Sequence, residues 1–400
     1  MQLWKKVLIG LILGCAVGFI LGPQASVLKP IGDIFIRLIK MIIVPLILCA
    51  VISGVSSIGE TTKLGRIGLK AAIAYFITTI FAVCIGLGTG ALLKPGQGFQ
   101  LPQDFSHSVS SSTNFSLLNS CLDIIPDNIF GAMSQGTILQ VVFFAIFAAI
   151  CINKLGQEGE RVASFFKSFS VLIFKMITLI VQLSPYAAFA LTAALVGSQG
   201  QQVLKSLSYL IFCGMVAFLL QYLVFGVLIR LFAKVSPIPF YKKSIEYQTI
   251  ALSSSSSKAA LPTTMSVCKD KLGVSQTGSA FILPLGATIN MDGLAIYLGL
   301  CAVFVAQATG VELTIANYAA IVSTCTMGSI GGAGIPSAAL IFMPIVLGSV
   351  GLPVEGVALI AGIDRVMDMM RTTISITGDA AVTVVVDAWE GLLDKKSYNA

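Results

Sequence analysis

The feature that most constrains this chain is a series of apolar blocks, each about as long as a lipid bilayer is thick. A helix needs about 20 apolar residues to cross the roughly 30 Å hydrocarbon core of a membrane. The clearest blocks are residues 7–21, 31–51, 71–93, 138–152, 172–196 and 207–232. Only 11% of the 400 residues are charged, whereas about 25% are charged in a typical soluble domain. The pattern predicts an all-α integral membrane protein. A cleaved signal is the alternative explanation for the first block alone, because two lysines precede it.

The formal net charge of +7 is explained by where the basic residues lie. They gather in alternate connections between the apolar blocks: Lys5, Lys6, Lys63, Arg66, Lys70, Lys154, Arg161, Lys167, Arg230, Lys234, Lys242 and Lys243. The long connection 94–129, in contrast, has Lys94 as its one lysine or arginine. This alternation follows the positive-inside rule, so we expect a multi-pass protein of the cell inner (cytoplasmic) membrane with a cytoplasmic N-terminus. The charge gives no reason to expect a nucleic-acid partner.

The residues that many enzymes require are missing from the sequence. His107 is the single histidine, and the nine cysteines are scattered without a CxxC pair. Neither a histidine-based metal site nor a Ser-His-Asp arrangement can be assembled from these residues. Asp364 and Asp368 could be imagined as the carboxylate pair of an intramembrane protease, but Arg371 lies beside them and no second acidic motif follows. We therefore expect no enzyme activity and no organic cofactor. A channel, whose flux would not saturate, is the other alternative.

The second half of the chain has apolar stretches that are interrupted by polar or glycine-rich runs. The interruptions are residues 253–257, 286–293, 328–337 and 364–379. Irregular backbone at membrane depth is tolerated only where protein or a water-filled cavity satisfies its polar groups. In transporters such breaks typically carry the binding site. We predict hairpin tips at 253–257 and 328–337, although a flexible linker is the alternative explanation for the serine run.

The stretch 364–379 carries the most informative pattern. At about 100° per residue, its polar side chains share a stripe about 80° wide: Asp364, Asp368, Arg371, Ser375 and Asp379. Each charge at a bilayer centre costs about 2.5–3.5 kcal/mol. A structural ion-pair ladder is one explanation. Three acids facing one arginine would leave negative charge for a bound cation or ammonium, which favours a binding function. Charge alone predicts that Arg371 holds a carboxylate and Asp368 an ammonium, with Asp364 and Asp379 as candidate cation ligands.

A second polar break combines an amide and a carboxylate inside an apolar helix. It consists of Asn290, Met291, Asp292 and Gly293, and the glycine allows the helix to unwind. Oxygen ligands of this kind suit hard cations such as Na⁺ and Ca²⁺. Because no dense acidic cluster accompanies them, we expect Na⁺.

Together these motifs resemble those of the dicarboxylate/amino acid:cation symporter family, and the short loops are typical of a prokaryotic member. The resemblance covers nearly the whole chain, and its specific segments are the serine run before Leu261-Pro262 and residues 284–293, 328–331 and 368–379. It implies eight transmembrane helices, two re-entrant helical hairpins, a homotrimer and an elevator mechanism. Residues 1–235 would be mainly scaffold and trimerisation helices, with the third and sixth helices joining the transport part. Residues 236–390 would form the transport core.

The resemblance also implies roles for individual residues. The substrate-binding residues would be Ser256, Ser257, Met291, Leu294, Ile335, Ala339, Asp368, Arg371, Thr372 and Ser375. One sodium site would use Gly286, Asn290, Ser375 and Asp379. A second would use Thr288, Ser329, Ile330 and Gly332. A third would join Tyr75, Thr78 and Thr79 to Asn290 and Asp292. Taken alone, the Tyr75 cluster is typical of polar helix-packing residues.

The resemblance favours aspartate or glutamate as substrate but leaves alternatives open. Arg371 is evidence against a transporter of neutral amino acids, and Asp368 is evidence against a transporter of C4-dicarboxylates alone. Asp379 favours coupling to sodium over coupling to protons. Three positions depart from the family pattern. Leu294 replaces a usual threonine, Ser375 replaces a usual asparagine, and Lys258 replaces a small residue in the first hairpin tip. That lysine would either anchor a carboxylate or extend to water.

Overall fold

The computed structural model describes residues 3–56, 62–98, 125–331, 338–354 and 356–400. These residues form helices joined by turns and contain no strand. The first helices are α1 (Leu3–Leu21), α2 (Lys29–Ser56), α3 (Thr62–Leu93), α4 (Ile129–Gln135), α5 (Ile138–Lys154), α6 (Gln157–Val181), α7 (Ser184–Gln199) and α8 (Gln201–Leu228). The remaining helices are α9 (Pro237–Ser254), α10 (Ser257–Asp270), α11 (Leu283–Ile289), α12 (Asp292–Thr309), α13 (Ile315–Gly331), α14 (Ala338–Ser349), α15 (Gly356–Trp389) and α16 (Lys395–Asn399).

The predicted apolar blocks correspond to single helices with one exception. The block 172–196 is wrong as a continuous span, because α6 ends at Val181 and α7 begins at Ser184. Pro185 occupies the first turn of α7, where the missing N–H of proline costs nothing and its fixed φ suits a helix start. Hydropathy alone does not reveal such a break, because the residues on both sides are equally apolar.

Four stretches are long and apolar enough to cross a membrane by length and composition: Ile9–Phe35, Arg66–Leu93, Leu204–Ala233 and Gly278–Thr309. Large apolar side chains of the first three lie on the outside, as Ile20, Phe81 and Leu219 show with 81%, 57% and 61% exposure. The fourth stretch is almost entirely buried within the protein. Exposed apolar helix faces of this kind require lipid or another subunit around them.

Helix α15 lies at the centre of the second half and contacts α3, α8, α9, α10 and α12. The N-terminal helices α1, α2, α5, α6 and α7 pack largely against one another. On α1, Gly10, Gly14 and Gly18 face the backbone of α7 at Pro185 and its following turns. Glycine at four-residue spacing lets two helix backbones approach closely, which suits helix packing in a membrane.

The serine run forms a tight turn between two helices that pack side by side, so a flexible linker is wrong. Ser255 adopts the left-handed conformation with φ 52° and donates its N–H to Ala251 O at 2.8 Å. The hydroxyl of Ser256 accepts from Ala259 N at 3.3 Å and caps α10. The second predicted tip lies between α13 and α14, which also pack together. Residues 332–337 of that tip lie outside the described residues.

The predicted break at residues 290–293 separates α11 from α12. Asn290 has φ −109° and ψ 109°, and Met291 has φ −127° and ψ 54°. Two residues of non-helical backbone therefore interrupt a buried apolar segment. Helix α3 packs along α12, and Gly293 lies directly against the carbonyl oxygen of Arg371. A Cβ at Gly293 would separate α12 from α15.

Candidate substrate and cation site

Four buried charged side chains of α15 form what we call the charge network: Asp364, Arg365, Asp368 and Arg371. Arg371 donates from Nε and Nη2 to Asp368 Oδ1 at 3.0 and 2.7 Å, and from Nη1 to Asp364 Oδ1 at 2.9 Å. Arg365 Nη1 donates to Asp368 Oδ2 at 3.1 Å. The residues are between 1% and 8% exposed. Three of these residues, Asp364, Asp368 and Arg371, were predicted to share one face of the helix, and they do contact one another.

The prediction that one arginine alone faces the acids of the stripe is wrong. Arg365 projects about 100° away from Asp364 on a helical wheel, which places its Cα off the stripe. Its long side chain nevertheless reaches Asp368 one turn ahead, as side chains three residues apart do on a helix. Two arginines therefore balance two aspartates at this end of α15. The i, i+3 spacing of Arg365 and Asp368 was the signal that could have shown it.

Aromatic and apolar groups enclose the charge network. The Arg371 guanidinium carbon lies 5.1 Å from the centroid of the Tyr297 ring, within the range of a cation–π interaction. The predicted pocket residues on neighbouring helices and on α15 are also buried: Met291, Leu294, Ala339 and Thr372. An environment with so little water strengthens the attraction between a guanidinium and a carboxylate.

A second buried cluster, the carboxylate pocket, consists of Thr79, Gln221, Asn290, Asp292 and Asp379. Asn290 Nδ2 donates to Asp379 Oδ1 at 2.9 Å. Thr79 Oγ1 lies 3.1 Å from Asp292 Oδ1 and 3.4 Å from Asn290 Oδ1. Gln221 Nε2 donates to Asp292 Oδ2 at 3.3 Å. Four helices and the break after α11 thus bring amide, hydroxyl and carboxylate oxygens together.

The two carboxylates of this pocket have no basic partner among the residues that the structure describes. Both are 0% exposed, and within the described ranges neither forms an ion pair. Asp379 Oδ2 and Gln221 Oε1 also have no hydrogen-bond partner there. Two buried, unpaired carboxylates are costly unless a cation accompanies them. Within the described part of the chain, no group of three histidine, cysteine or acidic side chains could hold a metal ion. The amide, hydroxyl and carboxylate oxygens of the pocket are the ligand type that hard cations prefer.

Tyr75 and Gly286 form one wall of the carboxylate pocket. Tyr75 Oη donates to Ile282 O at 3.1 Å. A Cβ added at Gly286 would lie 2.5 Å from Tyr75 Oη and 2.7 Å from Asp379 Oδ1, so this position requires glycine. Thr78 is buried, and its hydroxyl donates to Tyr75 O at 3.0 Å within α3. The Tyr-x-x-Thr-Thr pattern therefore places Tyr75, Thr78 and Thr79 at the pocket, because the Thr78 side chain also lies close enough to Asp292 to interact with its carboxylate.

Ser375 connects the charge network to the break after α11. Its hydroxyl accepts from Gly293 N at 3.1 Å and donates to Arg371 O at 3.0 Å. From α13, the Ser329 hydroxyl accepts from Met291 N at 3.2 Å. The unwound backbone is thus held from two sides by serine side chains that were predicted to belong to the site.

Several other predicted site residues form no hydrogen bond with either cluster within the described ranges, and two lie outside those ranges. Thr288 Oγ1 donates to Pro284 O within α11. No hydrogen bond among the described residues joins Ser256 or Ser257 to the charge network. Asp364 and Asp379 are 15 residues apart on α15, about 22 Å along the axis, so they cannot share a cation. Gly332 and Ile335 lie outside the described residues, and of Ile330 only the helical backbone is described.

Gln221 is the pocket residue that the sequence did not predict. It lies in α8, inside an apolar block, and is 0% exposed. A single amide within an otherwise apolar span was the signal for it, because a buried polar group needs a partner. Nothing in the local sequence indicated that Asp292 is this partner.

A model of the sodium:dicarboxylate symporter family matches residues 3–389. The chain belongs to this family. As a member of the sodium:dicarboxylate symporter family, it is a multi-pass membrane transporter and not an enzyme, as the sequence predicted. It is 34% identical over 402 residues to the proton/sodium-glutamate symport protein of Bacillus subtilis (strain 168), covering 97% of this chain and 93% of the relative.

Other relatives have different transport names at similar identity. The proton/glutamate-aspartate symporter of Bacillus subtilis (strain 168) is 33% identical over 401 residues, which cover 98% of this chain and 96% of the relative. The C4-dicarboxylate transport protein of Cupriavidus taiwanensis is 34% identical over 406 residues, which cover 98% and 92%. Members of the sodium:dicarboxylate symporter family with both kinds of name are thus about equally similar to this chain.

Proposed function

We propose that this protein is a secondary active, sodium-coupled symporter that imports an acidic amino acid, aspartate or glutamate. The observation that carries the proposal is the presence of two buried clusters on α15. The charge network offers a guanidinium and a carboxylate, which complement the carboxylate and ammonium of an amino acid. The carboxylate pocket offers two carboxylates without a basic partner, which a co-transported cation would neutralise.

In this proposal Arg371 binds the side-chain carboxylate of the substrate and Asp368 its ammonium. A substrate carboxylate can replace the aspartates that Arg371 contacts in this structure, because the same guanidinium N–H groups can donate in parallel to its two oxygens. The remaining substrate-binding residues are proposed to be Ser256, Ser257, Met291, Leu294, Ile335, Ala339, Thr372 and Ser375.

Sodium is proposed as the second transported species. The oxygen of Asp379 that has no hydrogen-bond partner among the described residues supports a site of Gly286, Asn290, Ser375 and Asp379. A second proposed site consists of Tyr75, Thr78, Thr79, Asn290 and Asp292. The third proposed site consists of Thr288, Ser329, Ile330 and Gly332. The relatives named as proton/sodium symporters are the reason to test proton coupling as well.

The proposed transport movement is of the elevator type. Residues 236–390, together with α3 and α8, would form the moving core, and the other N-terminal helices would form a homotrimeric scaffold. The packing of α3 and α8 on α12 and α15 supports this division. We place the protein in the cell inner membrane with its N-terminus in the cytoplasm, because the basic loops alternate along the chain.

Transport of C4-dicarboxylates is the second candidate function. The C4-dicarboxylate transport protein among the relatives supports it, and Leu294 removes a hydroxyl that the family uses for acidic amino acids. Neutral amino acids are a weaker candidate because they have no side-chain carboxylate. Arg371, which is proposed to bind that group, would then face only the protein's own acids.

The test is uptake of labelled aspartate, glutamate, serine and succinate by proteoliposomes with an imposed sodium or proton gradient. We expect sodium-driven uptake of aspartate or glutamate, with kcat/KM at least about 100-fold lower in Arg371→Ala and Asp368→Ala, since losing a buried charged partner costs about 3–5 kcal/mol. Arg37→Ala, at an exposed arginine of α2, is the matched control and should transport normally. Uptake of serine that survives Arg371→Ala, or uptake driven by protons alone, would contradict the proposal.

A further inference from the structure

Arg365 and Arg371 bind Asp368 from different sides. Arg371 occupies Oδ1 through two hydrogen bonds, whereas Arg365 donates a single hydrogen bond to Oδ2. Arg365 is 8% exposed, and its Nε has no hydrogen-bond partner in the part of the chain that the structure describes. The hydrogen bonds of Arg365 are therefore incomplete, so they do not by themselves explain why its guanidinium is buried beside Asp368.

Helix packing keeps Arg365 in this place. Together with Asp364 it lines a small cavity between α15 and the helices α2, α7 and α14, whose other walls include Phe35, Ala188 and Leu340. The cavity walls contributed by the other helices contain no acid, since Phe35, Ala188 and Leu340 are apolar and Ser184 is neutral. Asp364, the acid that shares the cavity, is bonded through Oδ1 to Arg371. Asp368 is the carboxylate to which Arg365 is bonded, and no other ion pair of Arg365 occurs within the described residues.

Substrates with and without an ammonium make different demands on Asp368. When Arg371 turns to a substrate carboxylate, its hold on Asp368 Oδ1 weakens. An amino acid brings an ammonium that takes this place. A dicarboxylate brings none, so a second cation must balance the buried Asp368, or its charge opposes binding. Arg365 already supplies that cation at Oδ2, and Oδ1 is left for an ammonium when one is present.

We propose that Arg365 is a specificity-determining residue whose guanidinium replaces the substrate ammonium at Asp368, so that one site accepts both acidic amino acids and dicarboxylates without an amino group. The inference rests on the proposed function and defines the substrate range of the same site. It assigns Arg365 a positioning role, since it acts on the substrate through Asp368.

The charge balance gives the direction of the effect. With Arg365, the charge network contains two cations and two anions. In Arg365→Gln one cation faces two anions, which penalises a doubly negative dicarboxylate more than an amino acid that carries its own ammonium. We expect the ratio of kcat/KM for succinate to kcat/KM for aspartate to fall at least about tenfold, which corresponds to about 1.4 kcal/mol.

The experiment uses the full-length protein in proteoliposomes under a sodium gradient. Wild type should take up both succinate and aspartate, and each should inhibit uptake of the other competitively. Arg365→Lys should keep the substrate ratio near that of wild type, because it keeps the cation. The double variant Arg365→Gln/Asp368→Asn should regain succinate uptake without aspartate uptake, because it removes the unbalanced carboxylate. A merely structural role of Arg365 would not produce this recovery. Arg37→Gln is the matched control.

Three results would overturn the inference. Wild type that takes up aspartate but not succinate would exclude a shared site while leaving the proposed function intact. An unchanged substrate ratio in Arg365→Gln would exclude the role of Arg365. The double variant must insert into the membrane and reconstitute like wild type. If it does so and still fails to regain succinate uptake, the charge argument is excluded. Absence of sodium-driven amino-acid uptake in wild type would instead overturn the proposed function.

Discussion

The buried acids of α15 fall into two kinds according to their partners. Asp364 and Asp368 contact guanidinium groups, whereas Asp379 accepts one hydrogen bond from the neutral amide of Asn290. An amide cannot neutralise a carboxylate, so an ionised Asp379 has no balancing charge among the described residues, whereas Asp368 contacts two guanidinium groups. This difference is why we assign the cation to one end and the organic substrate to the other.

The first prediction concerns the charge of Asp379. Asp379→Asn keeps the shape of the side chain but removes the charge that attracts the cation. We expect the sodium concentration for half-maximal aspartate uptake to rise at least about tenfold, or about 1.4 kcal/mol. Uptake as a function of sodium concentration measures this. Asp270→Asn, at an exposed acid that contacts Ser266, is the control. An unchanged sodium dependence in Asp379→Asn would remove Asp379 from the cation site.

At the scale of elements, the breaks determine what the helices can bind. The turn at Ser255–Ser256 and the non-helical residues Asn290 and Met291 free backbone groups that a continuous helix would use internally. Serine hydroxyls from α13 and α15 accept hydrogen bonds from two of these freed groups, the N–H groups of Met291 and Gly293. The close approach of α11, α12 and α15 then depends on glycine where a Cβ would collide.

Gly286 gives the second prediction. In Gly286→Ala the new methyl group would meet Tyr75 Oη and Asp379 Oδ1, and overpacking of this kind costs about 1–3 kcal/mol. We expect a lower thermal unfolding temperature and a smaller stabilisation by sodium, both measurable on purified protein in detergent. Gly348→Ala is the matched control within a helix, because a Cβ there meets nothing within 4 Å. Equal sodium stabilisation in Gly286→Ala and wild type would contradict the pocket geometry.

The third prediction concerns Glu390, which follows the last residue of α15 and contacts the beginning of α3. Glu390 accepts hydrogen bonds from Lys70 at 2.5 Å and Arg66 at 2.6 Å, and these bonds lower the pKa of Glu390 below its usual 4.5. A lowered pKa stabilises the folded state at every pH above 4.5, and this stabilisation is lost as the pH falls through the lowered value.

We therefore expect Glu390→Gln to lower the unfolding temperature by a constant amount between pH 7 and pH 5, and by less below pH 4. Thermal unfolding of wild type and variant across this range measures the difference. Glu246→Gln is the control, because Glu246 and its partner Lys271 are both about half exposed, at 52% and 51%, and exposed pairs contribute little. A difference that grows as the pH falls would contradict the sign of the pKa change.

At the scale of the whole molecule, the cavity beside Asp364 and Arg365 lies where the two proposed parts meet. Phe35 of α2 and Ala188 of α7 belong to the proposed scaffold, and Leu340 of α14 belongs to the proposed moving core. An elevator movement would have to change the contacts across this boundary, whereas a movement confined to the hairpins would not.

The fourth prediction tests that movement. Ala188→Cys and Leu340→Cys, introduced together after the native cysteines are replaced, line the same small cavity. Because both positions are buried, the two thiols should be bridged by Hg²⁺, which is small enough to enter the cavity. Cross-linking should abolish uptake while binding of labelled aspartate persists, because the lock blocks movement and not the site. Each single cysteine variant, treated in the same way, is the control. Continued uptake by fully cross-linked protein would contradict a movement at this boundary.

Much of this protein follows from local rules that the sequence displays directly. Apolar blocks identify a membrane protein because the length of a spanning helix is set by bilayer thickness. The stripe from Asp364 to Asp379 is correct because helical periodicity fixes which residues of one helix share a face. The breaks at Ser255 and Asn290 were also predicted, since polar and glycine-rich residues interrupt apolar runs there.

What lies between elements was decided by the tertiary structure. The sequence did not show that Gln221 meets Asp292, that Arg365 completes the charge network, or that the block 172–196 is divided between α6 and α7. Partners on different helices depend on how the helices pack and on how far a long side chain can reach, and neither follows from the period of a single helix. The sequence by itself determined the class of protein and the face of α15 that carries its charges. The packing of α3, α8, α12 and α15 determined which charges are neutralised and which remain for a cation.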